Sequence, residues 1–580
     1  MQKPRDSFAN HLSVNLQAQK PHRHPWDNHH SSGSDTAAEE GDLAVMDVAL
    51  RPLLSSTATT ATPSSTPPGH SSSTARLTRP IGTTAFNNYR QHLKKLGPYE
   101  VHCEVLDNRQ GKIIVDGALT IYCGQLQSTN GMIAATGPIH IVCHEFCNSN
   151  GVVQSHIGTI TITSRYALCN QQGQLLAQSD ITLTHPHARF DNRQGSIISQ
   201  GSLHITGDTL TNQGQITGET IGMTLKEQLI NGPVGAIQAA KKLDVITSHD
   251  CRNEGQMQAG NQLTIQSHEF LNHNDGQLQA PQLKLTVDTY LRNRGTIEAK
   301  EMQLQAHTLS NFFKHDRPGA GQLRAENNLT LNDCYECYNE GEITAGQRIS
   351  FQSHIIHNHQ AGKFQASTLE LSGGEKEGGN VTNHGLMEMR QGLLRGNHVY
   401  NNGVIQSEAG QVPAGNQLAI QSHTFLNYID GQLQAPQLKL TIDTYLTNRG
   451  TIEADQMQLS AHTLSNVFKH ERPGAGKLQA KRHLTISDGY ECYNEGEIHA
   501  GEQLSLHART IHNHKDGKIQ APTMDLIGGT EKRDDGSLWS GGDVTNHGSI
   551  ELRSGLMRAR TVFNGSNGQV YADDLRIEAT

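Results

Sequence analysis

A glycine, usually preceded by an Asn-containing turn and followed by alternating apolar residues, recurs along most of this chain. It stands at Gly111, Gly131, Gly151, Gly173, Gly195, Gly214, Gly235, Gly255, Gly276 and Gly295, and the series continues from Gly321 to Gly568. Most intervals are about 19 to 23 residues, the signature of a repeat architecture. Within a unit the period is two. After Gly295, Ile297 and Ala299 point one way and Thr296 and Glu298 the other; Met302, Leu304 and Ala306 then alternate with Gln303, Gln305 and His307. Short alternating runs broken by Asn and Gly are strands. Three of them in about 20 residues, without hairpin signals, predict a coil in which each strand pairs with its counterpart one coil above and below. The fold class is therefore all-β, a parallel β-helix (solenoid) of about 22 coils, roughly 100 Å long at about 4.8 Å per coil. In this register Ile297 lies near Leu278 and Leu304 near Leu285. Asn and Gly at the corners are expected to supply positive φ, and stacked Asn side chains can hydrogen-bond along the ladder.

Composition agrees with a narrow core. Of the 580 residues only 34% are hydrophobic and 5% aromatic, low for a set of globular cores. The net charge is −9 and no basic stripe is present, which argues against nucleic acid as a partner. No run of about 18 apolar residues exists, so no helical transmembrane segment is expected. The N-terminal stretch MQKPRDSFANHLSVNLQAQK lacks the apolar segment of a secretory signal.

Residues 1–84 form a Ser/Thr/Pro/His-rich tail, expected to be disordered and to serve either as an inert extension or as a secretion or docking signal. Residues 85–98 are expected to form a helical N-terminal cap, with Asn87 opening a helix through Tyr89, His92, Leu93 and Leu96 that Gly97-Pro98 stops. Residues 99–580 are the repeats. A block is duplicated within them: residues 261–371 return as 416–526, so that LRNRGTIEAKEMQLQAHTLSN at 291–311 reappears as LTNRGTIEADQMQLSAHTLSN at 446–466. Lengthening a solenoid this way costs little, because each coil touches only its neighbours.

The unit G-x-I-x-A…L-x-L-x-A-x-x-L-x-N, carried most clearly by NRGTIEAKEMQLQAHTLSN and NRGTIEADQMQLSAHTLSN, resembles the haemagglutinin repeat of bacterial filamentous-haemagglutinin adhesins and contact-dependent growth-inhibition exoproteins. The resemblance covers about residues 100–580. It implies a right-handed β-helix forming a long stalk for contact with a host or neighbouring-cell surface, secreted or held at the bacterial surface. It also implies export through an outer-membrane transporter of the two-partner type.

Few residues suggest chemistry. Many of the 33 histidines share one place in the coil, among them His268, His307, His423 and His462, with Asp288 and Asp443 in the same column. The column reads as solvent-facing turn residues; a transition metal on it is the sharper alternative, against which a flat ladder does not converge on one centre. Stacked imidazoles would repel when protonated, weakening the array near or below about pH 6. Cys103, Cys123 and Cys143 fall 20 residues apart and predict a column of small apolar side chains, with a vertical disulfide as the alternative. Cys334-x-x-Cys337 is answered in the second block by Gly489 and Cys492, which argues against a redox or metal pair.

No clustered carboxylates with aromatic sugar platforms mark a β-helical carbohydrate-active enzyme, and no cofactor or metal is expected. The insertions at 312–321, 373–379, 468–476 and 528–543 are expected either to carry binding or to be loops that merely tolerate insertion. Two of these place Phe312, Phe313, Lys314, His315 and Arg317, and Phe468, Lys469, His470 and Arg472, together; Trp539 lies in the last. The expected function is a non-enzymatic, adhesin-like stalk. The alternatives are an effector exported through its N-terminal tail and a carbohydrate-active enzyme.

Overall fold

The computed structural model describes residues 85–580 apart from 313–320, 375–378, 408–416, 468–475, 533–537, 541 and 580. The expectation for the tail at 1–84 lies outside the described residues. Those described are strands and tight connections with no helix among them, wound into a parallel β-solenoid of about 23 turns.

One coil shows the construction. Strand Thr296–Asn311 is continuous, but its pairing with Gln322–Asn339 shifts register between Ala299 and Glu301 and again between Gln305 and Thr308. These irregularities are the corners, so three straight runs are joined by bulges rather than open loops. Leu278 pairs with Ile297 and Leu285 with Leu304, the register that the alternation requires. Ile297, Met302, Leu304, Ala306 and Leu309 are buried, while Gln303, Gln305 and His307 face solvent.

The core is a set of columns. One runs Leu106, Leu126, Phe146 and Leu168. Cys251, Cys337 and Cys492 take a Leu or Phe place in the same column, and burial pushes the thiols of Cys251 and Cys492 up to about 12. These three are packing residues.

Residues 85–98 are not a helix. Ala85–Asn87 and His92–Leu96 are strands, paired in register with residues 105–107 and 112–116, and they make up an additional first coil. The misleading signal was Asn87. Its side chain does accept a backbone N–H, from Tyr89 at 2.9 Å, as a helix cap would, but the bond closes a turn. Arg90 follows at φ 55°, and the exposed edge of the next coil then templates a strand.

The corner chemistry agrees with expectation only in part. In the first coils positive φ falls on the residue before the landmark glycine, at Gln110, Asn130, Asn150, Gln172 and Gln194, and not on Gly111 or Gly173; at Gly321 and Gly476 it falls on the glycine itself. The glycines are required by close approach. A Cβ on Gly111 or Gly173 would run into the backbone carbonyl of Asn88 or Asn148 in the preceding coil.

The asparagines form a buried ladder at the end of each third strand. Asn272 donates to Asn293 Oδ1 at 2.9 Å, Asn293 to Asn311 Oδ1 at 2.9 Å, and the pattern runs from Asn148 to Asn564. The second hydrogen of each amide goes to a backbone carbonyl, as from Asn293 to Gln322 at 3.1 Å. This saturation lets so polar a column sit in the interior.

The ladder has one fault. Ser128 takes an asparagine's place and accepts from Asn108 at 3.1 Å, leaving the buried Oδ1 of Asn148 without a partner. Ser128→Asn should repair it and gain about 1 kcal/mol. Hydrogen exchange of the amides around 126–133 should slow; an unchanged or faster rate would contradict this account of the ladder.

Candidate contact surface

The exposed His and Asp positions lie on one corner of successive coils. His268 Nδ1 stands 3.6 Å from Asp288 Oδ2. His307 stacks on Tyr335 at 5.3 Å between ring centroids and 3° between planes, and Tyr335 stacks on His354 at 4.9 Å. The duplicated block repeats the arrangement. His423 Nδ1 is 3.9 Å from Asp443, His462 stacks on Tyr490 at 5.1 Å, and the Arg509 guanidinium covers Tyr490 at 4.7 Å. A shallow depression lined by Arg395, Asn397, Gln421, His423, Thr441 and Asp443 flanks the second copy. Sequence reasoning passed over Tyr335 and Tyr490. Their place in YECYNEGEI was visible, but the insertion ahead of them hides the alignment with His307 and His462.

The ion pairs of this surface do little for stability: they are solvent-exposed, and such pairs contribute about 0.2–1 kcal/mol. Among the described residues no group of three or more His, Cys, Asp or Glu is placed to hold a metal ion.

Imidazole repulsion is interrupted in this column by Asp288 and Tyr335, which separate His268, His307 and His354, although His249 directly precedes His268. It arises at the neighbouring corner, where His357 stacks under Tyr338 at 5.3 Å and lies 6.3 Å from His359. Burial, then the proximity of His359 and His384, holds His357 below the ordinary imidazole value, while Glu336 opposes the shift. The unfolded coil therefore binds more protons than the folded one. Stability from neutral His357 is complete above about pH 6.5 and is lost as pH falls through that value toward the folded one. Corrected for the intrinsic pH dependence of amide exchange, the protection factors of residues 355–358 should fall between pH 7.5 and 5.5, and His357→Gln should remove most of the change. An equal fall in the variant would contradict the assignment.

Of the predicted loop residues, Phe312 is described: its N–H donates to Asn293 O at 2.9 Å and Arg294 covers its ring at 5.5 Å. Phe313, Lys314, His315, Arg317, Phe468, Lys469, His470 and Arg472 lie outside the described residues. Trp539 pairs through its backbone with Glu531 in a small antiparallel ribbon, Thr530–Lys532 with Leu538–Ser540.

Cys103 is in register with Cys123, and Cys143 follows one coil on in the strand Ile139–Cys147. Cys143 is buried, and Cys103 and Cys123 are half-buried against the core. All nine cysteines are free thiols. Cys334 Sγ donates to Glu336 O at 3.1 Å, and burial pushes its thiol up, as befits a packed side chain.

Comparison with known proteins agrees with this architecture. Residues 105–165 and 474–548 match the haemagglutinin repeat family, and residues 194–335 match the BigA fourth domain. The chain is 23% identical over 434 residues to the tRNA nuclease CdiA of Yersinia mollaretii, 67% of this chain and 13% of that protein. It is 25% identical over 292 residues to the deoxyribonuclease CdiA of Dickeya dadantii, 45% of this chain and 8% of the relative. It is 23% identical over 405 residues to the toxin CdiA of Escherichia coli, 66% and 11% respectively. The chain thus spans about a tenth of the length of these relatives. No solved structure matches it.

Proposed function

For this chain, which belongs to the filamentous-haemagglutinin and contact-dependent-inhibition exoprotein family, we propose a non-enzymatic stalk that presents one contact surface twice. The observation that carries this reading is the repeated corner column. It is exposed, and its two copies keep the same register. Seven ladder steps separate Asn311 from Asn466, which places the copies roughly 34 Å apart. Two weak sites held at a fixed spacing on one rod gain avidity without any new contact. Their stacked His, Tyr and Arg side chains suit a polar surface rich in hydrogen-bond acceptors, such as a cell-surface glycan or protein. Export through an outer-membrane transporter of the two-partner type belongs to the same reading. The effector alternative rests on residues 1–84.

Binding of the full-length protein to whole cells tests the reading. Tyr335→Ala or Tyr490→Ala alone should weaken apparent affinity at least tenfold, and the double variant should abolish binding. The β-rich circular dichroism spectrum should be unchanged in each. A double variant that binds like the parent would overturn the assignment.

A further inference from the structure

Five of the nine cysteines lie on neighbouring coils near the N-terminal end of the solenoid, and two of these differ from the rest. We propose that Cys147 and Cys169 form a redox-controlled staple, a disulfide made by exchange with a small-molecule disulfide, that locks one coil onto the next.

Three observations support it. Cys147 and Cys169 end the strands Ile139–Cys147 and Ile160–Cys169 and are register partners. Adjacent parallel strands lie about 4.8 Å apart, within the roughly 4.4–6.8 Å between Cα atoms that a disulfide spans. Second, both are half-buried and reachable, unlike Cys251, Cys337 and Cys492 in the core. Third, their sulfurs share one small polar network. Ser149 Oγ lies 3.4 Å from Cys147 Sγ and 3.5 Å from Cys169 Sγ, with Thr129 Oγ1 at 3.8 Å from Cys147.

The surroundings bias one thiol to ionise. The hydrogen bond from Cys169, helped by Ser149 and Thr129, pulls Cys147 below the ordinary thiol value against the opposing effect of burial. The same bond, with burial, pushes Cys169 above it. Gln127 and Asp191 flank the pair along its own column. The Asp191 carboxylate is held by Arg193 at 2.7 Å and by Gln171 at 2.7 Å, so its charge is balanced beside Cys169. A thiolate with a protonated thiol one coil away is the arrangement that exchange needs. The Cys103, Cys123 and Cys143 column lacks it: burial pushes Cys103 up, and the hydrogen bond to Cys143 together with burial pushes Cys123 up.

The step balances. The Cys147 thiolate attacks one sulfur of glutathione disulfide, forming a mixed disulfide and expelling one glutathione thiolate. Cys169 then gives up its proton to solvent and attacks Cys147 Sγ, expelling the second glutathione. Two protein thiols are oxidised, one small disulfide is reduced, and the turn between residues 147 and 169 is closed into a ring. Each coil touches only its neighbours, so a staple here acts on the two coils it joins.

The test uses the full-length protein incubated with glutathione disulfide, alkylated and digested with trypsin. Cleavage after Arg165 places Cys147 on peptide 113–165 and Cys169 on peptide 166–189. The two peptides should appear joined, separate on reduction, and be unlinked in both Cys147→Ser and Cys169→Ser. Hydrogen exchange of residues 148–168 should slow about a hundredfold on oxidation. Glutathione left on Cys147 without a linked peptide, unreacted thiols, or a link that survives in Cys147→Ser through Cys123 or Cys143 would each overturn the proposal.

Discussion

Asn293→Leu should open the solenoid at its own coil and destabilise it by about 3 kcal/mol or more. Removing this amide leaves Asn272 Nδ2 without its 2.9 Å acceptor and Asn311 Oδ1 without its 2.9 Å donor, both in the buried interior. Each orphaned buried group costs about 1–3 kcal/mol. The Gln322 carbonyl loses its second donor as well. Leucine offers apolar volume but no hydrogen bond, so burial does not compensate. Because coils interact only with their neighbours, the loss should be local. Hydrogen-exchange protection should collapse across residues 290–312 and persist in distant coils. A change below about 1 kcal/mol would show that the ladder is decorative.

The second large effect separates two explanations of the repeated glycine. At Gly295 and Gly450 φ is not in the left-handed region, so alanine is conformationally acceptable and by itself would be expected to gain about 0.4–1 kcal/mol. A Cβ at Gly295, however, would overlap the carbonyl oxygens of Gly276 and His273, and one at Gly450 those of Gly431 and Tyr428. These are backbone atoms of the preceding coil and cannot swing aside. Gly295→Ala or Gly450→Ala should therefore cost about 1–3 kcal/mol or more, measured by thermal or denaturant unfolding. Gly97 is the control: its φ is 76° and nothing stands within 4 Å of the place a Cβ would take. Gly97→Ala should cost only the strain of its conformation, about 1 kcal/mol. Equal costs at all three sites would contradict the close-approach account.

These two elements show how far the sequence could be read. The alternation after Gly295 gave the register of Ile297 on Leu278 and of Leu304 on Leu285, because side-chain period and burial are locked together in a strand. The role of the glycine was not legible, since a left-handed corner and a close backbone approach leave the same letter. Only the second coil tells them apart. Asn87 misled for a related reason: one side-chain acceptor on a backbone N–H serves a helix cap and a turn alike. At the surface, His268, His307, His423 and His462 stood out by number, whereas their stacking partners Tyr335 and Tyr490 did not. A contact between coils depends on insertion lengths, and the eight residues 313–320 shift the count just ahead of Tyr335. The thiol pair Cys147 and Cys169, 22 residues apart, was passed over for the evenly spaced Cys103, Cys123 and Cys143.

The central claim is that the chain is a stack of coils carrying two copies of one surface at a fixed spacing. Gln303 and Gln458 are exposed and equivalent in the two copies. They are joined by seven register steps, through Thr330, Ser350, Glu370, Leu393, Ala419 and Lys439. Spin labels introduced at these two positions through genetically encoded side chains, leaving the cysteines intact, measure the spacing by pulsed electron resonance. A narrow distribution centred near about 34 Å is the predicted result. A centre below about 20 Å, or a broad distribution without a peak, would contradict the stacked-coil account and with it the paired surface.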